Sequence, residues 1–326
     1  MPKTFPKIDV LLATYNGAQY LRPQIDSILA QTYPNFRILA RDDGSRDGTP
    51  AILREYADRL PDKFNLLVDC TPTGSAKMNF LRLTQASTAP YIAFADQDDV
   101  WLPQKLELSM ATMQDLEARA NPAKPLLVFS DLEVVDEHLR TVHPSLWGYM
   151  GVTPEAIHSP RELLIKSVVT GCTALLNRPL AELVSRMPAT AYMHDQWTGL
   201  IVSIFGKAAY LPQATVRYRQ HSNNAVGARA KSRGWLPKWR DHSERIVVWE
   251  ECVRKARTLL EVHRDDMPSE VRQLYETVLK CECEPRPFRR VALFRRTRLL
   301  TSDVRSRLSI FWYLLDRNHA KGSGIR

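Results

Sequence analysis

Three carboxylates stand within four residues at Asp96-Gln97-Asp98-Asp99, directly behind the apolar run Tyr91-Ile92-Ala93-Phe94-Ala95. Strand alternation puts Asp96 and Asp98 on the same side. Like charges this close disfavour ionisation unless a cation or hydrogen-bond donors compensate. Oxygen-only ligands suit a hard divalent ion, Mg²⁺ or Mn²⁺, rather than zinc. Such an ion, held by few carboxylates, bridges to substrate phosphates. A second acidic pair, Asp42-Asp43, closes the apolar run at residues 36–40. Either cluster by itself is also what a solvated turn looks like. Two of them at two strand ends point to a metal–diphosphate site.

The elements that must position these groups read clearly. Residues 91–95 form a short, β-branched and aromatic run after Pro90, the pattern of a buried strand. Residues 8–13, 36–40, 64–68, 126–130 and 209–216 read the same way. Helices are predicted over 18–31, 50–60, 76–85 and 103–117, with Thr49 as an N-cap and Pro50 as a first helical residue. Gly171, inside a strand expected over 168–176, marks a close backbone approach. Strand–helix alternation predicts an α/β fold with a mostly parallel sheet. Parallel strands carry both clusters to the carboxyl edge, where such sheets bind ligands. There is no G-x-G-x-x-G after the first strand and no G-x-x-x-x-G-K-[ST], so neither the dinucleotide fingerprint nor a P-loop is present.

The chain has 326 residues, room for one large domain or two smaller ones. No apolar run reaches the roughly 18 residues of a spanning helix. Residues 1–7 hold no apolar signal region, which predicts a cytoplasmic protein. Five scattered cysteines argue against a disulfide framework. Cys281 and Cys283, a lone close pair, read as plain thiols on a helix. The net charge of +9 is unevenly placed. Residues 1–228 carry 22 Lys+Arg against 23 Asp+Glu; residues 229–326 carry 23 against 13. This predicts a neutral domain over 1–228 and a basic helical region over 229–326. The basic region implies an anionic partner or plain solvation. Residues 288–296 interleave aromatics with arginines, which suits the inner face of a membrane. Residues 308–315 are apolar but far too short to span.

Three ordered motifs carry a family resemblance. Leu12-Ala13-Thr14-Tyr15-Asn16-Gly17, then Arg41-Asp42-Asp43-Gly44-Ser45-x-Asp47-Gly48-Thr49, then Phe94-Ala95-Asp96-Gln97-Asp98-Asp99-Val100-Trp101 resemble the family-two inverting glycosyltransferases. The resemblance covers about residues 8–228. It implies the GT-A fold, a Rossmann-like, mostly parallel sheet flanked by helices, here with a C-terminal helical extension. It implies that Ala13, Thr14, Tyr15 and Asn16 hold a nucleotide. Asp42 would accept from a pyrimidine N–H, unless it only closes its turn. Lys77 matches a basic residue near the donor and otherwise reads as an exposed helix lysine. Asp96 would contact ribose and Asp98 the metal. Asp99 would complete the shell or cap the next helix, and Trp101 would wall the sugar pocket or sit in the core. Asp131 would lie near the acceptor or turn the chain.

Asp195, in His194-Asp195-Gln196-Trp197, matches the family's catalytic base at a helix start; the alternative is an N-cap. Arg219 would meet the diphosphate, and His221 would add a metal ligand. Residues 223–234 would close over the donor. The implied donors are dTDP-L-rhamnose first and UDP-hexoses next. The implied acceptor is a hydroxyl of a surface polysaccharide or lipopolysaccharide, free or lipid-linked. The rival reading is a non-catalytic sugar-nucleotide- or polysaccharide-binding relative. No nucleic-acid motif appears, so no nucleic-acid partner is expected.

Overall fold

The computed structural model describes residues 5–68, 71–221 and 242–299. They fall into two compact units. The first runs to His158 and resumes at Ser167; the second joins Ser159–Lys166 to the tail helices. The 228/229 boundary lies outside the described residues.

The first unit opens with β1 (Ile8–Thr14), α1 (Ala18–Leu29), β2 (Phe36–Asp42), α2 (Thr49–Arg59), β3 (Phe64–Leu66), α3 (Ala76–Ala86) and β4 (Tyr91–Ala95). Then come β5 (Val100–Trp101), α4 (Lys105–Arg119), β6 (Leu126–Val135), β7 (Thr141–His143) and α5 (Leu146–Met150). Past α6 (Pro160–Leu163), which belongs to the second unit, it closes with β8 (Leu175–Asn177), α7 (Arg178–Val184), α8 (His194–Phe205) and β9 (Lys207–Arg219). The sheet order is β3-β2-β1-β4-β8-β6-β9-β5, with β7 beside β6. β3, β2, β1 and β4 run parallel, as do β6 and β9. β8 is wedged antiparallel between β4 and β6.

β1 shows why the sequence folds this way. It lies between β2 and β4, and all seven of its residues are buried. A strand covered on both faces needs a continuous apolar run rather than an alternating one. Its one charge, Asp9, is fully buried and answered: Arg37 donates two bonds at 2.7 and 3.0 Å, and Ser87 Oγ donates one at 2.7 Å. α1 packs Leu21, Gln24, Ile25 and Ile28 inward, a helical stripe.

Three local expectations change. Thr49 is not a cap; it is the first residue of α2, and its hydroxyl accepts from Gly17 N at 2.8 Å. Residues 168–170 are not strand, and residues 171–173 form a short 3₁₀ turn before β8. β9 begins earlier and ends later than alternation indicated. Its far end pairs with β5, Val100 opposite Arg217 and Trp101 opposite Val216.

In the second unit, α9 (His242–His263), α10 (Ser269–Cys283) and α11 (Pro287–Thr297) bury Trp249, Tyr275, Cys281 and Phe294 together. Buried Lys255 donates to Leu163 O and Leu164 O, each at 3.4 Å, so the 159–166 strap is held by α9. Cys281 is buried and Cys283 exposed, both plain helix thiols. No described helix is long and apolar enough to cross a membrane.

Candidate active site

The turn after β1 and the turn after β2 form one object. Ser45 Oγ accepts from Asn16 N (2.7 Å), Asn16 Oδ1 from Arg46 N (2.9 Å), Thr49 Oγ1 from Gly17 N (2.8 Å) and Asp47 Oδ2 from Ala18 N (3.0 Å). Asn16 takes a left-handed φ of 49°, and Tyr15 is left 56% exposed at the tip. Asp42 closes its own turn. Its Oδ1 accepts from Thr14 Oγ1 (2.9 Å) and Ser45 Oγ (2.5 Å), its Oδ2 from Gly44 N (3.2 Å) and Ser45 N (2.8 Å). Gly44 sits at φ 86°, and a Cβ there would meet the Pro72 ring at 2.7 Å, so only glycine fits. Behind this turn Arg41 is wholly buried. It donates to Asp43 Oδ1 (2.9 Å), Asn79 Oδ1 (3.0 Å) and Thr71 O (2.7 Å). Ala13 and Thr14 are buried strand residues beneath it.

Between Ala95 and β5 the acidic run is held from below by a polar stripe that runs along α1 and just past its end. Gln24 Nε2 donates to Asp96 O (2.7 Å), Trp101 N donates to Ser27 Oγ (2.9 Å) and Gln31 Nε2 donates to Leu102 O (2.9 Å). Polar residues at i, i+3 and i+7 on a buried face were a legible signal that the sequence reading passed over. Gln97 is a second residue it passed over: it accepts from Tyr15 N at 2.8 Å and donates to Tyr15 O at 3.0 Å, tying this run to the first turn.

The carboxylates are poorly compensated. Burial, with Asp98 and Asp195 close by, pushes Asp96 up to about 8. Burial, with Asp98 and Asp96 close by, pushes Asp99 well above the usual carboxylate range. Asp99 Oδ1 accepts from Arg219 N at 3.2 Å, but its buried Oδ2 has no hydrogen-bond partner among the described residues. The β5–β9 ladder delivers His221, whose Nε2 lies 2.9 Å from Asp98 Oδ2. Asp96, Asp99 and the buried Cys172 thiol offer ligand atoms within 4.8 Å of one another. The carboxylate oxygens of Asp96, Asp98 and Asp99 suit a hard divalent cation, which would relieve the repulsion that raises Asp96 and Asp99; the soft Cys172 thiol falls outside that oxygen set.

Arg219 does not point into open space. Its guanidinium donates to Asp98 O (2.8 Å) and Glu137 O (2.6 Å), lies 4.6 Å from the Tyr20 ring, and the residue is 4% exposed. It holds Asp98 in place from behind. Trp101 is core, and its ring receives the buried Lys105 ammonium at 3.9 Å. Asp131 does not turn the chain: it lies inside β6, which runs on to Val135, and its carboxylate accepts from Leu132 N (2.8 Å) and from Leu146 N at the start of α5 (3.0 Å).

Asp195 occupies the first turn of α8 without capping it; the N-cap position is Met193. Its Oδ1 accepts from Gln196 N at 2.7 Å, and its charge is felt at Asp96. His194 beside it is buried, stacked on Phe80 at 4.0 Å and edge-on to Phe94 at 4.9 Å. Burial lowers its pKa to about 3, so the ring is neutral. The close approach expected at Gly171 is to this ring, since a Cβ there would lie 2.6 Å from His194 Nε2. Lys77 reaches the loop ahead of α8, donating to Ala189 O at 2.7 Å and to Ala191 O. Residues 223–234 lie outside the described residues.

This geometry has relatives. Residues 9–183 match the model of the family described as Glycosyl transferase family 2. Over 229 residues the chain is 27% identical to the dTDP-rhamnosyl transferase RfbG of Shigella flexneri, covering 67% of this chain and 74% of that one. Over 232 residues it is 27% identical to the uncharacterized glycosyltransferase RP339 of Rickettsia prowazekii, covering 68% and 67%. Among solved structures, S. aureus TarS 1-349 superposes with a TM-score of 0.57 at 16% identity, covering 98% of this chain and 93% of that one. The same TarS fragment has been solved with UDP-GlcNAc. The sheet order, the flanking helices and this likeness make the fold GT-A-like, with a helical C-terminal region. With three motif turns gathered at one sheet edge and a family model spanning more than half its length, the chain belongs to glycosyl transferase family 2 and is a glycosyltransferase.

Proposed function

We propose that the protein is an inverting, metal-dependent glycosyltransferase that moves a sugar from a nucleoside-diphosphate donor to a hydroxyl of a growing surface polysaccharide or lipopolysaccharide. The observation that carries this reading is one edge of one sheet, where Asp96, Asp98 and Asp99 lie together, His221 Nε2 stands 2.9 Å from Asp98 Oδ2, and burial with Asp98 and Asp195 close by pushes Asp96 up to about 8. Residues 1–228 form the catalytic domain in this reading and residues 229–326 a basic helical region.

Asp195 takes the proton of the acceptor hydroxyl as its oxygen attacks the anomeric carbon. The bond from that carbon to the diphosphate oxygen breaks, and nucleoside diphosphate leaves from the opposite face. One carboxylate suffices for this single displacement. Asp98 and His221, with Asp96 beside them, would hold Mg²⁺ or Mn²⁺, which supplies charge neutralisation for the departing diphosphate. Ala13, Thr14, Tyr15 and Asn16 present the nucleotide turn, with Tyr15 exposed against the base. Asp42 already accepts four bonds, so a base N–H would be an additional one. RfbG's name supports a dTDP-L-rhamnose donor, and the TarS complex supports a UDP-sugar as the next choice. The presence of Asp98, Asp195 and His221 together argues against a non-catalytic binding relative.

α11 supports peripheral contact with the inner face of a membrane. Phe288 is 84% exposed, and Arg289, Arg295 and Arg296 are exposed on the same helix, which has no acidic residue.

The deciding experiment is nucleoside-diphosphate release from a panel of dTDP- and UDP-sugars with Mn²⁺ or Mg²⁺. Release from one donor, abolished by chelator and by Asp98→Ala, is the expected result. No release, together with no metal-dependent nucleotide binding, would leave only the polysaccharide-binding reading standing.

A further inference from the structure

We infer that Lys77 is a positioning residue for the base Asp195, acting through the loop 188–193 rather than through the donor. The inference rests on the reading of Asp195 as base. α3 touches both halves of the site. Asn79 donates to Thr14 O (3.3 Å) and Arg41 O (3.2 Å) on the nucleotide side. Phe80 carries the His194 ring on the other side. Lys77, one turn earlier, donates to the carbonyls of Ala189 and Ala191.

The loop that receives these bonds runs directly into α8. Its own backbone contributes a turn closed by Ala191 N donating to Pro188 O at 3.0 Å. Ala191 is the one buried residue of the loop; Ala189, Thr190 and Tyr192 are exposed, so apolar packing holds it at a single point. An ammonium bridging two carbonyls fixes the spacing between residues 189 and 191, and hence the entry angle of the chain at His194 and Asp195. Charge-assisted bonds of this kind are stronger than the neutral bond the loop makes for itself. The reach of the side chain is spent on these carbonyls, which separates this role from a phosphate contact. Gln85 Nε2 adds a second brace, donating to Ser185 O at 3.2 Å on the same side.

The test compares Lys77→Met and Lys77→Arg with the wild-type protein by three readouts. These are kcat and donor KM, the nucleoside-diphosphate dissociation constant measured by calorimetry, and hydrogen exchange of the amides at 189–196. In Lys77→Met, kcat is expected to fall at least tenfold with donor KM and nucleotide affinity within twofold, and exchange at 189–196 to rise at least tenfold. Lys77→Arg, which keeps a cation within reach of both carbonyls, is expected to recover most of both losses. A tenfold loss of nucleotide affinity with unchanged exchange would make Lys77 a donor ligand and overturn the inference. Unchanged kcat and unchanged exchange would overturn it as well. The exchange readout does not need turnover: wild-type protein that neither turns over any donor nor binds nucleotide with metal would sink the functional reading, while exchange at 189–196 would still decide whether Lys77 holds this loop.

Discussion

Two carboxylates at opposite ends of neighbouring strands behave oppositely. Asp9, near the start of β1, loses water but meets Arg37 and Ser87, and its pKa ends below the usual range. Asp96, just past the end of β4, loses water and meets Asp98 and Asp195, and its pKa ends near 8. β1 and β4 are neighbours, with Asp9 opposite Ile92. The chain therefore can answer a buried charge, and does so at the amino edge. At the carboxyl edge it gathers acids and supplies few cations. A fold that satisfies one edge and leaves the other in deficit is what the proposed cation at the second edge requires.

This contrast can be broken in graded ways. The largest effect is expected from Asp195→Asn, which should cut sugar transfer about 10³-fold while leaving thermal stability equal or slightly raised, because a like charge is removed. Transfer assays and melting curves on the same preparation check both halves; a clear drop in stability would mean the upper edge is structural after all. Asp9→Ala should do the reverse. It leaves Arg37 facing a buried void and should cost about 3 kcal/mol in denaturant unfolding, with nucleotide binding retained in the folded fraction.

A third prediction concerns the buried group with neither fate. His194 has a folded pKa of about 3 against 6.5 in the unfolded chain. Between those values the unfolded state binds the extra proton, so stability is full above about pH 6.5 and is lost as pH falls towards 3. By pH 5 the loss should be about 2 kcal/mol. His194→Phe, which keeps the stack on Phe80, should flatten that slope between pH 7 and 5 in unfolding titrations. The smallest effect belongs to Gly17→Ala. Its Cβ would lie 2.2 Å from Gln97 Oε1 and displace that side chain from Tyr15. Losing those bonds should raise donor KM about fivefold, roughly 1 kcal/mol. Adding Gln97→Ala removes the clash, and the double variant should be no worse than Gln97→Ala alone.

The parallel half of the sheet was legible because buried central strands leave unbroken apolar runs, as at Ile8–Thr14 and Tyr91–Ala95. The family was legible because its motifs lie in turns, where residue type is dictated locally. β5 was not legible. Two residues carry no period, and only the partner strand β9 makes Val100 and Trp101 a strand. Arg219 was read from its sequence neighbours, yet its guanidinium donates to Asp98 O and Glu137 O, contacts set by the pairing of β9 with β5 on one side and β6 on the other. Thr49 has the type of an N-cap, but a residue 32 positions away, Gly17, claims its hydroxyl. Local chemistry fixes what a side chain can bond; which long-range partner it finds is decided by topology.

The interlock between Asn16–Ala18 and Ser45–Thr49 has a consequence for how this chain can change length. Each of its bonds crosses between the two turns, so neither can gain or lose one residue without misaligning the other. One glycine inserted after Ser45 would shift Arg46, Asp47 and Thr49 together out of reach of Asn16, Gly17 and Ala18. The pair of turns is thus a fixed gauge, closed to insertion. The short helices of 144–158 bond instead to strand residues, Leu146 N donating to Asp131 and the Tyr210 hydroxyl to Glu155, so a change of length there misaligns no second turn.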